Sequence, residues 1–562
     1  SRGLGDVYKR QILIGSLLLV VAGLKMFSHL YLYKDVLCWD EVLYMFRGIN
    51  ITEKVPKGWG PLYGFWYFIL AVFQSKLGTL DLVSLNYLNF KILAIACPVL
   101  LYIFMVLKRV HPIAAFVISA GYLISTVNTS TWPHISHFTF MFLMLGLIKS
   151  HFFKSRLIQW VIILTTVFLT SYARPELFLA FVLLFLAFIV FLVIKKFKFS
   201  IAEYAVLLFG FAFIFLVQYK MGIAMFAETS GGTGEYSRDV FAFGQHFAIN
   251  YFQWHDIDQE LWRYWTPYFD KYFVDEGSLV SSGLTNPQMF FKHLITNCGR
   301  LLHNTLEYIT DALLLGRIFH FPLWLKLIVV GGFVAVSVYI GRSIRDFIHF
   351  LKTSEHGFIL MVLLFFAAPT YVACVLIYAR DHYILLQMPF YLCAIGFIFF
   401  LRDDDKSGMP LNALVIIGVG LFLILFAPSK NKIKYFDLWQ HKTETYNYKA
   451  IKELQQLDVS NFTKEEPVYL LENAGGMSIF TMQPAIQSLV PPINTDSVLF
   501  EQLLLDREID MVFITPSMKK DPIMNTYNDW RLFIEKPEKY NFKKHPIENS
   551  ATYFLVKNEL FN

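Results

Sequence analysis

Long apolar runs recur along this chain and constrain its fold more than any other feature. Stretches of roughly 17–22 apolar residues, each enough to cross a hydrocarbon core about 30 Å thick as a helix, recur eleven times. They fall at 12–33, 88–107, 112–129, 134–149, 157–172, 175–194, 203–221, 321–341, 358–376, 383–401 and 410–427. Backbone polar groups in lipid must find partners within their own segment, so each run reads as a helix. The fold class expected is therefore a polytopic α-helical membrane protein with about eleven transmembrane helices. Only 16% of the residues are charged and 56% are hydrophobic, whereas soluble domains carry about 25% charge. That balance excludes a soluble enzyme, a disordered chain and a nucleic-acid partner.

Two segments at the amino-terminal end need separate treatment. Ser1 to Gln11 is polar, starts without methionine and resembles adaptor read-through, so 1–11 is set aside as non-native. Segment 59–76 is apolar but short and punctuated by glycine and proline, and is expected to lie at the interface or re-enter the bilayer.

Basic residues orient the bundle. The loops at 108–111, 149–156, 195–202, 342–357 and 402–409 hold 13 Lys/Arg in 44 residues, against 7 in 72 for the opposite loops at 34–87, 130–136, 172–175 and 377–383. The denser set belongs in the cytoplasm. The first loop (34–87), a large loop (222–320) and the tail are then extracytoplasmic. The membrane domain spans 12–427. The tail, 428–562, has short alternating apolar runs at Val468–Leu471, Met511–Thr515 and Thr552–Val556 between polar helical stretches, and is expected to be a small α/β domain. Five cysteines lack a CxxC spacing, which argues against a zinc site. Cys38 and Cys298 fall on one face by this topology and are a candidate pair.

The ionisable residues beside the spans gather on that same face. They are Asp40 and Glu41, His134 and His137, Arg174 and Glu176, and Arg380, Asp381 and His382. Charges beside apolar segments are costly and mark function, although each taken alone also reads as a span end meeting water. Asp40-Glu41 is the sharpest signal, because a partly desolvated carboxylate gains the pKa of a general base. At a helix start the same pair would simply complement the macrodipole. His134 and His137 share a helical face and are candidate metal ligands, with hydrogen-bonded span-end histidines as the plainer reading.

After Asp40-Glu41 comes Gly58-Trp59-Gly60-Pro61-Leu62-Tyr63-Gly64-Phe65-Trp66-Tyr67. An acidic pair after span one, followed by a Pro-Leu-Tyr aromatic segment, resembles the C-type-fold membrane glycosyltransferases, above all the protein O-mannosyltransferases and bacterial aminoarabinose transferases. The resemblance implies a sugar donor linked to a polyprenyl phosphate and an extracytoplasmic acceptor that is a glycan, lipid or protein. It implies Asp40, with Glu41 beside it, at the catalytic centre. Tyr63 lies in the matching interfacial helix, Arg174-Pro175-Glu176 matches an Arg-Pro-Glu after an apolar span, and Arg380-Asp381-His382-Tyr383 matches an Arg-Tyr-like start of a late span. Arg174, Glu176, Arg380, His382, Tyr63, His134 and His137 are thus the expected substrate-binding residues. The chain departs from the family in two places. Gly60-Pro61 stands where a doubled proline is usual, and His134 and His137 stand where a second acidic residue is expected, which leaves a divalent metal cofactor open.

Direct displacement by the acceptor, with Asp40 as base, would invert the anomeric centre. The protein is expected in a bacterial inner membrane, with site and tail outside the cytoplasm. A transporter or flippase of lipid-linked saccharide is the alternative, and it predicts internal repeats and mid-membrane charges. A third reading is a non-catalytic scaffold whose tail binds another envelope protein.

Overall fold

The computed structural model describes the chain except for residues 1, 33, 37, 52–59, 79, 195–198, 224–235, 258–263, 315–353, 402–408, 427–444, 460, 493–498 and 562. The expected span at 321–341, Gly58-Trp59 and the start of the tail lie outside the described residues.

The chain opens with α1 (Arg2–Met26), which runs without a break through the segment set aside as non-native. It continues through α2 (Asp40–Ile49), α3 (Pro61–Leu77), α4 (Leu82–Leu107), α5 (Pro112–Ile124), α6 (Thr126–Ser130), α7 (Ile135–His151), α8 (Arg156–Ser171), α9 (Leu177–Ile194) and α10 (Ile201–Met221). The large loop folds into α11 (Arg238–Trp254), α12 (Thr266–Tyr272), α13 (Leu279–Leu284) and α14 (Pro287–Leu314). Then come α15 (Glu355–Leu376), α16 (Asp381–Phe399), α17 (Met409–Phe426) and, in the tail, α18 (Tyr446–Gln456).

Six described helices are long and apolar enough to cross a bilayer: Lys9–Leu32, α4, α9, α10, α15 and α16. The chain is on this ground an α-helical integral membrane protein. Pro112–Ile124, Arg156–Ser171 and Asn412–Leu425 are apolar but shorter, so the expected count of eleven is not met among the described residues. The run 112–129 divides at Ser125, whose extended backbone (φ −63°, ψ 153°) separates α5 from α6. By contrast α4 starts six residues before its apolar run, because the Asp81 side chain accepts hydrogen bonds from the Val83 and Ser84 amides and so supplies the N-cap. Helix α10 leaves Leu208, Phe209, Phe215 and Tyr219 exposed, an apolar face suited to lipid contact.

From Pro61 the expected interfacial segment forms α3, which packs against α2. A Cβ on Gly48 would come within 2.3 Å of the Gly64 carbonyl oxygen, so only glycine lets the two backbones meet there. This junction fixes where the start of α2 sits against α4 and α7.

The tail holds a five-stranded sheet of β1 (Val468–Leu471), β2 (Ile486–Leu489), β3 (Ile509–Ile514), β4 (Phe542–Pro546) and β5 (Tyr553–Lys557), in the order β2-β1-β3-β5-β4. β1 pairs in parallel with β2 and β3, and β5 pairs antiparallel with β3 and β4. One face packs on the membrane domain: Ile451, Val468, Met477 and Phe554 share a continuous core with Leu30, Val36, Cys38 and Val42. Cys38 is a buried free thiol and Cys298 an exposed one. The candidate pair is therefore not formed.

Candidate functional site

Two acidic residues in the first turn of α2 meet different surroundings. Asp40 is half-buried. Glu41 is 0% exposed, and an enclosed carboxylate is tolerated only if hydrogen bonds replace water. Its Oε1 accepts from the phenols of Tyr63 (2.5 Å) and Tyr67 (2.6 Å), and its Oε2 from the His134 backbone amide at 2.9 Å. Tyr63 and Tyr67 lie one turn apart on α3 and so present both hydroxyls to one point. Asn89 braces them from α4. Its amide nitrogen reaches the two phenol oxygens at 2.6 and 2.9 Å, while its Oδ1 accepts from the Trp66 indole at 2.8 Å. Burial raises the Glu41 pKa from its ordinary value. The bonds from Tyr63, Tyr67 and His134 oppose that rise and the neighbouring Asp40 charge adds to it.

Lys34 lies under the same turn. Its ammonium donates to the Thr129 carbonyl at 3.0 Å and sits 3.9 Å from the Phe90 ring centre. Burial brings its pKa down to about 7, with the Glu41 charge opposing. The His134 ring lies against Phe90, with centroids 4.6 Å apart, and its Nδ1 is 3.8 Å from Glu41 Oε1. His137 places Nε2 2.9 Å from the Asn128 carbonyl oxygen, so that nitrogen carries the proton and is not a ligand lone pair.

Glu41, expected at the catalytic centre, and Tyr63, His134 and His137, expected to bind substrate, are thus enclosed at 0, 0, 1 and 0% exposure. They form an internal network beneath Asp40. Among the described residues, no group of three His, Cys, Asp or Glu side chains converges as a metal cluster. Glu41 accepts from Tyr63, Tyr67 and the His134 amide, and His137 turns Nε2 to a carbonyl, while both ring nitrogens of His134 and Nδ1 of His137 make no hydrogen bond among the described residues.

The arginines approach from the other side of Asp40. Arg174, between α8 and α9, donates from Nε to Glu176 at 2.6 Å and from Nη1 to the Ser136 hydroxyl at 2.9 Å. Its guanidinium lies 5.0 Å from the Tyr383 ring centre. Arg380, at the start of α16, is close enough to Asp40, Arg174 and Tyr383 for their charges to act on it. The next two residues face apart. Asp381 accepts from the Tyr308 phenol on α14 at 2.6 Å, while the His382 Nδ1 is 3.1 Å from the Trp132 carbonyl oxygen. Asp40, Arg174, Glu176, Arg380, His382 and Tyr383 therefore come together at one end of the bundle, although they are spread over much of the sequence.

Lys34, Tyr67, Asn89 and a polar stripe on α14 join this region without having been singled out from the sequence. On that stripe Arg300 donates to Asn297 Oδ1 at 3.1 Å and stacks 4.2 Å from the Tyr378 ring centre. The His246 ring on α11 lies 5.3 Å from that of Tyr378, within reach of the charges of Arg380 and Arg300. The spacing of His293, Asn297, Arg300 and Asn304 at intervals of three and four was the available signal.

No protein-family model matches the chain, and no curated protein matches it.

Proposed function

We propose that the protein is a membrane glycosyltransferase that moves a sugar from a polyprenyl-phosphate donor to an extracytoplasmic acceptor. The observation that carries this reading is the convergence of Asp40 with Arg174 and Arg380 at one end of an apolar helical bundle. A half-buried carboxylate beside fixed guanidinium groups suits a reaction in which one hydroxyl loses a proton while a phosphate departs. Both events happen at the membrane surface, where a polyprenyl donor is held.

The chemistry follows from these groups. Asp40 accepts the acceptor hydroxyl proton as that oxygen bonds to the anomeric carbon. The bond from the anomeric carbon to the phosphate oxygen breaks, and its electron pair leaves on the polyprenyl phosphate. Arg380 and Arg174 meet the developing negative charge, a task for which the planar guanidinium fork is suited. Glu176 holds Arg174 in place. A single displacement inverts the anomeric centre. Glu41 is a positioning residue in this scheme, because its oxygens are committed to Tyr63, Tyr67 and His134. Its network fixes the start of α2 and so aims Asp40. The asymmetry of Lys/Arg between loops favours an extracytoplasmic site, and a bacterial plasma membrane suits it.

Membranes expressing wild type or Asp40→Asn, supplied with radiolabelled polyprenyl-phosphate sugars and envelope acceptors, test this reading. Transfer with inverted configuration by wild type and its loss in Asp40→Asn at equal protein level is the expected result. No transfer by wild type across a broad donor panel would overturn it and bring the flippase reading forward.

A further inference from the structure

The tail meets the membrane domain at the residue that precedes Asp40. Trp39 is the N-cap of α2 and holds φ 57° and ψ −124°, a left-handed backbone that bulky side chains avoid. Such a conformation persists only where surroundings over-determine it. Here the surroundings come from the tail. The Trp39 amide donates to the Gly475 carbonyl at 2.9 Å, and the indole lies flat against the Gly475 Cα, where an added Cβ would sit 2.7 Å from the ring. A Cβ on Gly476 would likewise meet the Val42 side chain at 3.0 Å.

The turn that does this is itself held rigidly. Gly475 and Gly476 have φ 74° and 89°, which glycine adopts at no steric cost. Glu472, at the end of β1, is 0% exposed and accepts from the amides of Ala474 (2.5 Å), Gly475 (2.7 Å) and Met477 (3.0 Å). A buried carboxylate satisfied by three backbone donors of one turn locks the loop shape. A second fastening lies just upstream, where the Asp35 carboxylate accepts from the Asn447 and Tyr448 amides at 2.9 and 2.8 Å. These amides belong to the first turn of α18, where a carboxylate is favoured.

We infer that the tail is a working part of the Asp40 site: its Glu472–Gly476 turn clamps Trp39 and thereby sets the position of Asp40, with Glu472 and Gly475 as positioning residues. This inference rests on the glycosyltransferase reading for its kinetic consequence, and on geometry alone for the clamp. Gly475→Ala breaks the clamp twice, by straining a positive φ and by pushing on the indole. Trp39→Ala removes the contact from the membrane side and leaves the tail's turn untouched.

The test combines hydrogen exchange and transfer kinetics on the full chain in detergent, with Gly78→Ala as a control, since nothing lies within 4 Å of a Cβ there. Gly475→Ala, Glu472→Ala and Trp39→Ala are each expected to raise exchange of residues 38–46 by about tenfold or more, with α4 unchanged. Turnover should fall by about tenfold or more while the donor KM stays within about twofold, as for a misplaced catalytic group. A variant that merely unfolds the tail would lose protection across β1 and β3 as well; Trp39→Ala then decides. Unchanged exchange at 38–46 in Trp39→Ala would overturn the clamp. Raised exchange with wild-type turnover would overturn its role in positioning. If Asp40→Asn also transfers normally, the assignment of Asp40 as base fails instead, and the exchange data still decide the clamp.

Discussion

The two ends of α4 show two uses of charge. Near its last turn, Lys108 bonds Glu355 at 2.5 Å and its carbonyl lies 2.8 Å from His356 Nε2, while Arg156 stacks 4.2 Å from the Phe358 ring centre. Glu203 caps α10 there through Ser200. These charges pair with one another or finish helices, and the Glu355 side chain is 45% exposed. At the Asn86–Asn89 end, the Glu41 carboxylate is answered by neutral donors, and Lys34 rests on a carbonyl and a ring. Arg174 stacks on Tyr383 while bonding Glu176 and Ser136. One end spends its charges on closing the fold. The other pairs Arg174 with Glu176 and brings Arg380 within reach of the Asp40 charge, so that guanidinium groups and a half-buried carboxylate gather at one place.

Four measurable consequences follow from this contrast. The largest concerns Arg380: Arg380→Ala should lower kcat/KM for sugar transfer by about 100-fold or more, as for removal of one charge-stabilising donor. Lys in its place should restore little, since a bidentate fork is lost. Next, Glu41→Ala leaves Tyr63, Tyr67 and the His134 amide without their shared acceptor in a closed site, and should destabilise the protein by about 3 kcal/mol, read as a lower melting temperature in detergent. Glu41→Gln should recover much of it.

The third expectation is a pH dependence. The Lys34 pKa is brought down to about 7 from 10.5, so between these values the unfolded chain binds the proton that the folded chain has released. Stability then gains with rising pH over that window, and Lys34→Met should remove this contribution from a pH series of melting curves. The smallest effect on transfer is expected at the opposite end, where Lys108→Ala should leave transfer unchanged and lower only the melting temperature, since Lys108 pairs with Glu355 away from the site. A large loss of transfer there would erase the distinction between the ends.

The sequence disclosed these regions unevenly, for physical reasons. β1, β3 and β5 were legible because they are the buried inner strands and read as apolar runs. β2 and β4 lie at the two edges of the sheet and carry polar residues such as Gln487, Lys543 and Lys544, so their apolar signal is weak. Helix α14 hid inside a presumed loop because it is amphipathic, with a polar stripe at helical spacing. At the site, the pair Asp40-Glu41 was plain, yet its division of labour was not. Adjacent residues on a helix face about 100° apart, and only the packing of α2 on α3 decides which turns inward. Tyr63 and Tyr67 stand one helical turn apart, but that spacing does not name the carboxylate they share. The tail's hold on Trp39 joins residues more than 430 positions apart, and no local pattern foretells it.

The most direct test of the central claim is the release of polyprenyl phosphate by purified protein given a polyprenyl-phosphate sugar and an acceptor, with wild type, Asp40→Asn and Lys108→Ala compared at equal folded amounts. Release by wild type and Lys108→Ala is expected, with a loss of about 100-fold or more in Asp40→Asn. Release by Asp40→Asn at the wild-type rate, or none by wild type with any donor, would contradict it.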